Sequence, residues 1–407
     1  MSDVVIVGAG LAGLTCARRL QARGRACLVL DAADAAGGRI RTDRVDGFQL
    51  DRGFQVLLTA YPAAHRWLDY DALSLRRFSA GARVWCDGAL HVVSDPMREP
   101  RDLLQTLKAP VGTLADKMKI ATLRSAACRG PLDGVWTRPE TTAIEALRAH
   151  GFSATMIERF LRPWLGGIFL DDSLSASSRM LMFVLRMFAE GHAAVPEAGM
   201  QAIPEQLAAG LRRGTVRLGA PVVAVGDGVV TLQSGERMSA DQIVVATDGT
   251  TAARLLPELP PASWRHVTCL YFAAPHSPLG APFLALNGSG AGLVNNVAVM
   301  SDVASGYAPP GQALVSVSML KDAPGDDASV AEQVQAELAG WFGTPVRRWR
   351  WLRSYRIARA LPVRWPLERA APIPVRPGIW AAGDFLATPS IQGAMESGES
   401  VADAVLA

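Results

Sequence analysis

The 407-residue chain begins with apolar and polar positions in a strand–helix–strand rhythm. Val4 to Val7 is a short β-branched run, the pattern of a strand buried on both faces of a parallel sheet. Helical periodicity runs from Leu11 to about Arg23, and a second apolar run, Cys27 to Leu30, ends at Asp31. Farther along, RLGAPVVAVGDGVVTLQSGERMSADQIVVATD reads as short strands joined by GDG and SGE turns, closing on a buried strand from Ile243 to Ala246. The stretch from about Arg76 to Pro196 reads as mostly helical, with breaks at Pro96, Pro110, Pro131 and Pro139. The stretch from about Leu259 to Pro362 opens strand-rich, in HVTCLYFAA and ALVSVSML, and turns helical through SVAEQVQAELAGWF. No internal repeat and no low-complexity linker interrupts this order.

Composition narrows the classes. Hydrophobic residues make up 49% and charged residues 19%, so a large core is feasible and two domains suit the length. A net charge of +3 provides no broad basic field, which excludes a nucleic-acid partner. Five scattered cysteines and six dispersed histidines show no metal-like spacing, so free thiols in a reducing compartment and no metal site are expected. A strand beginning at Val4 leaves no room for a signal peptide. No apolar run reaches the roughly 18–20 residues of a membrane span. A cytoplasmic protein is expected, with contact to a membrane surface and the oligomeric state left open.

The first turn carries the chemistry. Gly8, Gly10 and Gly13 form G-x-G-x-x-G between strand and helix. Gly8 permits the tight turn, Gly10 lets the backbone approach a pyrophosphate, and Gly13 lets helix and strand pack closely. The helix N-terminus adds free N–H groups and a positive dipole end. Asp31, about 20 residues beyond the turn, can accept from both ribose hydroxyls, favouring NAD or the adenosine of FAD over NADP. The plainer alternative is a set of glycines serving only a tight turn.

Later motifs separate those nucleotides. Gly37-Gly38-Arg39 follows the second strand, DRGFQVL spans Asp51 to Leu57, and WAAGDFLATPSIQGAMESG spans Trp380 to Gly398. With these motifs the sequence resembles the flavin-containing amine oxidase superfamily, in particular its protoporphyrinogen oxidase and phytoene desaturase-like branch. The resemblance is strong at both ends and looser in the middle. It implies non-covalently bound FAD, since no cysteine or histidine lies close before AAGD. By that resemblance Asp31 holds the adenosine ribose, Arg39 lies on the pyrophosphate side and Asp384 contacts the ribityl–phosphate region. Val222 meets the adenine through its backbone, and Ile391 and Gln392 present N–H groups to the N1–C2=O edge. It also implies cofactor contact by Leu11, Ala12, Gly38, Gly53, Phe54, Gln55, Gly383 and Ala394.

The implied fold is α/β, with a discontinuous Rossmann-type FAD-binding domain of the GR2 type and an inserted α+β substrate domain. The expected pieces are 1–75, 197–258 and 363–407 for FAD, and 76–196 and 259–362 for substrate. FLRPWLGGIFLDDSLSASSRMLMFVLRMF (Phe160 to Phe188) resembles a pocket segment of protoporphyrinogen oxidases. Its helix is apolar on nearly every face, so it is buried core or an apolar cavity wall, with Met180, Met182 and Met187 as adaptable wall residues. In WRWLRSYRIARALPVRW (Trp349 to Trp365), strand alternation puts Trp349, Trp351, Arg353, Tyr355, Ile357 and Arg359 on one face. Gln55, Trp164 and Tyr355 are the candidates for the substrate side.

The lysine that amine oxidases usually place at the flavin has no counterpart in HVTCLYFAA, where Thr268 or Cys269 stands instead. The expectation is an FAD-dependent oxidoreductase that takes a hydride at flavin N5 from a hydrophobic small molecule, conjugated ones included, with O2 or a quinone as acceptor. A flavin-dependent isomerase, an amine oxidase without that lysine, and a non-enzymatic flavin carrier are the alternatives.

Overall fold

The computed structural model describes residues 2–368, 372 and 374–407. Ser2–Val7 is the central strand of a first sheet, fully buried from Val4 to Ile6. Cys27–Leu30 lies parallel on one side and Arg237–Val245 on the other. Val216–Arg217 and Ile379–Ala381 extend this parallel core outward. Three separate stretches of chain therefore build one sheet. The hairpin Val222–Gly226 and Val229–Leu232 adds antiparallel pairing at the start of Arg237–Val245, where the GDG turn is expected.

Helix Leu11–Ala22 buries its apolar stripe on this sheet, and helix Ile391–Leu406 packs across it. Their approach is so close that a Cβ on Gly398 would stand 2.0 Å from the Ala12 carbonyl oxygen. A side chain there would separate the two helices.

A second, mixed sheet has the order Arg350–Pro362, Trp264–Ala274, Ala313–Met319, Asn296–Val299, Leu284–Asn287, Gly81–Cys86, Ala89–Ser94. Helix Asp327–Phe342 covers it with Val330, Val334, Leu338 and Trp341, which meet Leu270, Phe272, Val315 and Val317 of the strands in one core. Smaller sheets pair Thr42–Val45 with Phe48–Asp51, and Ala193–Pro196 with both Leu57–Leu58 and Leu75–Arg77.

One expectation is extended and one needs correction. The stretch from Arg76 to Pro196 is mostly helical, but Gly81–Cys86 and Ala89–Ser94 add a hairpin to the second sheet. Its turn, Asp87-Gly88, has φ of 50° and 77°, the two positive angles that suit a tight hairpin. The strand Arg350–Pro362 does not keep one face. Its pairing with Trp264–Ala274 shifts register between Tyr271 and Phe272, and the bulge exchanges the faces. Trp349 and Trp351 consequently pack with the covering helix, while Leu352 and Tyr355 pack on the opposite core.

Candidate active site

The parallel strands end at a cavity of about 1790 Å³, lined at one end by Val7, Gly8 and Leu30. This is the carboxyl edge of the sheet, where open α/β folds bind their ligands. The glycines there divide their tasks. Gly8 has φ +112°, and a Cβ on it would lie 2.6 Å from the Ala246 carbonyl oxygen. A Cβ on Gly13 would stand 1.9 Å from the Gly8 carbonyl oxygen. Both are fixed by protein packing. Gly10 differs: its φ is −75°, and a Cβ would meet nothing within 4 Å. It faces the cavity, and no side chain caps the helix there, so first-turn N–H groups remain for an anion.

Asp31 closes the far side of this seat. Its Oδ2 accepts from the Ala9 amide at 2.6 Å and its Oδ1 from the Ala33 amide at 2.7 Å. Two loops thereby aim the carboxylate, and the remaining lone pairs stay available for a ligand's hydroxyls.

Arg39 joins the glycine-rich loop to the last motif. Its guanidinium donates to Asp384 Oδ1 at 2.5 Å and to the Ala360 carbonyl at 3.0 Å, and lies 5.4 Å from the centroid of the Trp264 ring. Gln55 donates to the Arg39 carbonyl at 3.1 Å. Gly53, at φ +93°, leaves only 2.7 Å between a would-be Cβ and Ile357 Cδ1, so DRGFQVL is pressed onto the strand Arg350–Pro362.

Beyond these groups the cavity widens into an apolar chamber. Helix Ser178–Glu190 lines it with Met180, Val184, Leu185 and Phe188. A π-helical turn at Ile157–Leu161, running into helix Arg162–Phe169, brings Phe160, Leu161, Trp164 and Ile168 to the same space. Trp164 stacks on Phe160 at 5.7 Å between centroids and tilts against Phe188 at 5.4 Å. Phe54 meets Phe78 edge-on at 6.0 Å. The chamber continues to Leu103, Leu107, Leu114 and Met118, none of which the sequence pattern singled out. Their helical spacing was visible, but nothing in it told cavity from solvent.

Every residue expected to touch the cofactor lines this cavity except Gly13 and Gln392, and so do Gln55, Trp164 and Tyr355 of the expected substrate side. Gly13 is packed between helix and strand, and the Gln392 side chain points inward, accepting from the Ala63 amide at 2.8 Å. The methionine wall needs correction. Met180 lines the chamber, but Met187 is wholly buried core and Met182 packs away from it, because the opposite face of the same helix meets other helices. Of the aromatics in Trp349–Trp365, Tyr355 lines the cavity and the tryptophans do not. The Tyr355 hydroxyl donates to Asp43 Oδ2 at 2.7 Å, and burial, helped by that carboxylate, pushes its pKa well above the usual phenol value. At neutral pH it is a neutral wall.

Of the four lysines, only Lys117 lines the cavity among the described residues. Its Nζ donates to the Leu107 and Ala109 carbonyls, both at 2.8 Å. No cluster of residues that could hold a metal occurs among the described residues.

The family model described as flavin containing amine oxidoreductase matches residues 11–406. Hydroxysqualene dehydroxylase of Rhodopseudomonas palustris is 27% identical over 458 residues, covering 100% of this chain and 99% of that enzyme. Putrescine oxidase of Kocuria rosea is 30% identical over 160 residues, but that match spans 36% of this chain and only 30% of that enzyme. A solved oxidoreductase from Methanosarcina mazei superposes with a TM-score of 0.78 at 18% identity, over 98% of this chain and 99% of that one. At that identity the likeness is one of fold.

Proposed function

The chain belongs to the flavin-containing amine oxidoreductase family and is an FAD-dependent oxidoreductase, and from that premise we propose that it dehydrogenates a bulky hydrophobic substrate, conjugated ones included. One observation carries the reading: the glycine seat and a large apolar chamber form one continuous cavity. Its volume of about 1790 Å³ exceeds the roughly 300–1,000 Å³ of a pocket for one ligand.

The residues present fit non-covalent FAD. The open approach at Gly10 and the free N–H groups of helix Leu11–Ala22 suit a pyrophosphate. Asp31 suits the ribose, and Val222 the adenine. Ile391 and Ala394, at the N-terminal end of helix Ile391–Leu406, suit the N1–C2=O edge, where a positive dipole end favours negative charge. Bound FAD supplies hydride acceptance at N5. The chain orients the donor and excludes water with Phe160, Trp164, Met180 and Phe188. The substrate would lose a hydride and a proton and leave with one new double bond; the two electrons and two protons would end on O2 as hydrogen peroxide or on a quinone as the quinol.

We assign the FAD-binding part to 1–75, 197–258 and 363–407 and the substrate part to 76–196 and 259–362. The likeness to hydroxysqualene dehydroxylase, by its name an enzyme of an apolar substrate, supports the hydrophobic reading at full length. An amine substrate is the second reading, favoured by the partial match to putrescine oxidase. Against it stands Lys117, tied by its ammonium to helix carbonyls. Turnover assays with polyisoprenoids, porphyrinogens and simple amines, with and without an acceptor, test the proposal. Acceptor-dependent oxidation of an apolar donor is expected. Peroxide and ammonia from simple amines only, or product formation needing no acceptor, would overturn it.

A further inference from the structure

Six of the ten large hydrophobic residues exposed among the described residues fall in one short stretch, from Met97 to Met118. Met97 is 81% exposed, Leu104 69% and Met118 60%. Helices Leu103–Lys108 and Leu114–Ala127 carry most of this patch. Lys117 locks the two together through its bonds to Leu107 and Ala109. A contiguous apolar patch on a folded surface marks something that covers it.

The charge around the patch says what. Between Pro96 and Lys119 the exposed charged residues are Arg101 and Lys108, both basic. Two of the three acidic neighbours are tied to the protein: Asp102 accepts from Ser94 Oγ at 2.8 Å, and buried Asp116 caps its helix and accepts from Ser153; the third, Glu99, is half-buried. Three of the four lysines of an otherwise arginine-rich chain also lie here. Apolar tips flanked by cations, with no exposed acid, match the interface of an anionic bilayer. The patch also adjoins the cavity, because Leu103, Leu107, Leu114 and Met118 are both exposed and cavity-lining.

We propose that this face docks on an anionic lipid bilayer, lying on the membrane and not across it, with the cavity mouth against the lipid. No helix among the described residues is long and apolar enough to cross a membrane. Docking rests on the surface alone. Entry of substrate from the lipid rests in addition on the hydrophobic reading above.

Flotation of the full FAD-loaded chain with phosphatidylcholine vesicles, with and without phosphatidylglycerol, tests the docking. Binding that requires phosphatidylglycerol and weakens with salt is expected. Leu104 does not line the cavity, so Leu104→Glu should keep FAD and melting temperature while lowering vesicle binding about tenfold or more. Lys108→Glu should lower it about fivefold. Absence of vesicle binding, or binding unaffected by Leu104→Glu, would overturn the proposal. So would a soluble dimer that Leu104→Glu dissociates, since a second copy would then be the partner. Loss of binding with turnover of a detergent-dispersed apolar donor retained separates docking from the substrate reading.

Discussion

Replacing Gly10 with alanine separates the cofactor seat from the scaffold. A Cβ at Gly10 meets no protein atom within 4 Å, and its φ of −75° is open to any residue. The apoprotein should therefore melt as the parent does, or gain about 0.4–1 kcal/mol from a stiffer unfolded chain. The added methyl enters the space assigned to the pyrophosphate, where overpacking costs about 1–3 kcal/mol. That is a loss of about fivefold to a hundredfold in FAD affinity. Gly13→Ala is the contrast, since its Cβ would press to 1.9 Å from the Gly8 carbonyl oxygen. It should destabilise the apoprotein by about 3 kcal/mol, because two backbone segments must part. Titration of each apoprotein with FAD by fluorescence quenching, beside its melting curve, measures both effects. A folded Gly10→Ala protein with parental FAD affinity would refute the seat, and a normally stable Gly13→Ala protein would refute the packing.

Other expectations follow from single side chains. Arg39→Ala removes the bond to Asp384 and the tie to Ala360, and should weaken FAD retention by about 1.5–3 kcal/mol; unchanged FAD content after dialysis would contradict it. Leu185→Trp narrows the chamber, so it should slow reduction by bulky donors with FAD retained, and an unaltered rate would remove that wall. Met187→Ala empties a fully buried site and should cost about 2–5 kcal/mol of stability, read as a lower melting temperature; an unshifted one would refute its core role. Burial pushes the Asp51 carboxyl up to about 6, although it accepts from Thr42, Tyr307 and the Met200 amide. The folded chain then holds a proton that the unfolded chain has released, so this group's contribution falls as pH rises from about 4 to about 6. The parent should lose stability relative to Asp51→Asn across that window, by up to about 3 kcal/mol. A difference between the two that does not change with pH would sink the assignment.

Local patterns were legible and lateral ones were not. Cys27–Leu30 forms with the bounds its apolar run predicts, because strand, glycine turn and helix are all specified within about 30 residues. The hairpin at Gly81–Ser94 was not legible, although Asp87-Gly88 is a strong hairpin signal, because its first strand pairs laterally with Leu284–Asn287, about 200 residues away. The faces of Trp349–Trp365 could not be assigned by counting in twos, since the bulge opposite Tyr271 and Phe272 lies in the pairing and not in the strand's own residues. The methionines of Ser178–Glu190 pose the same difficulty for a helix. Met180 faces the cavity and Met187 the core, and both environments select apolar side chains. The glycine seat was readable because each glycine answers to a contact in its own turn; the chamber depends on which helices meet.

Anaerobic mixing of the FAD-loaded protein with one donor at a time, followed at the long-wavelength flavin band, tests the central claim most directly. The predicted result is bleaching by a bulky apolar donor, a polyisoprenoid or a porphyrinogen, and none by putrescine. Bleaching by putrescine with every apolar donor inert would contradict it.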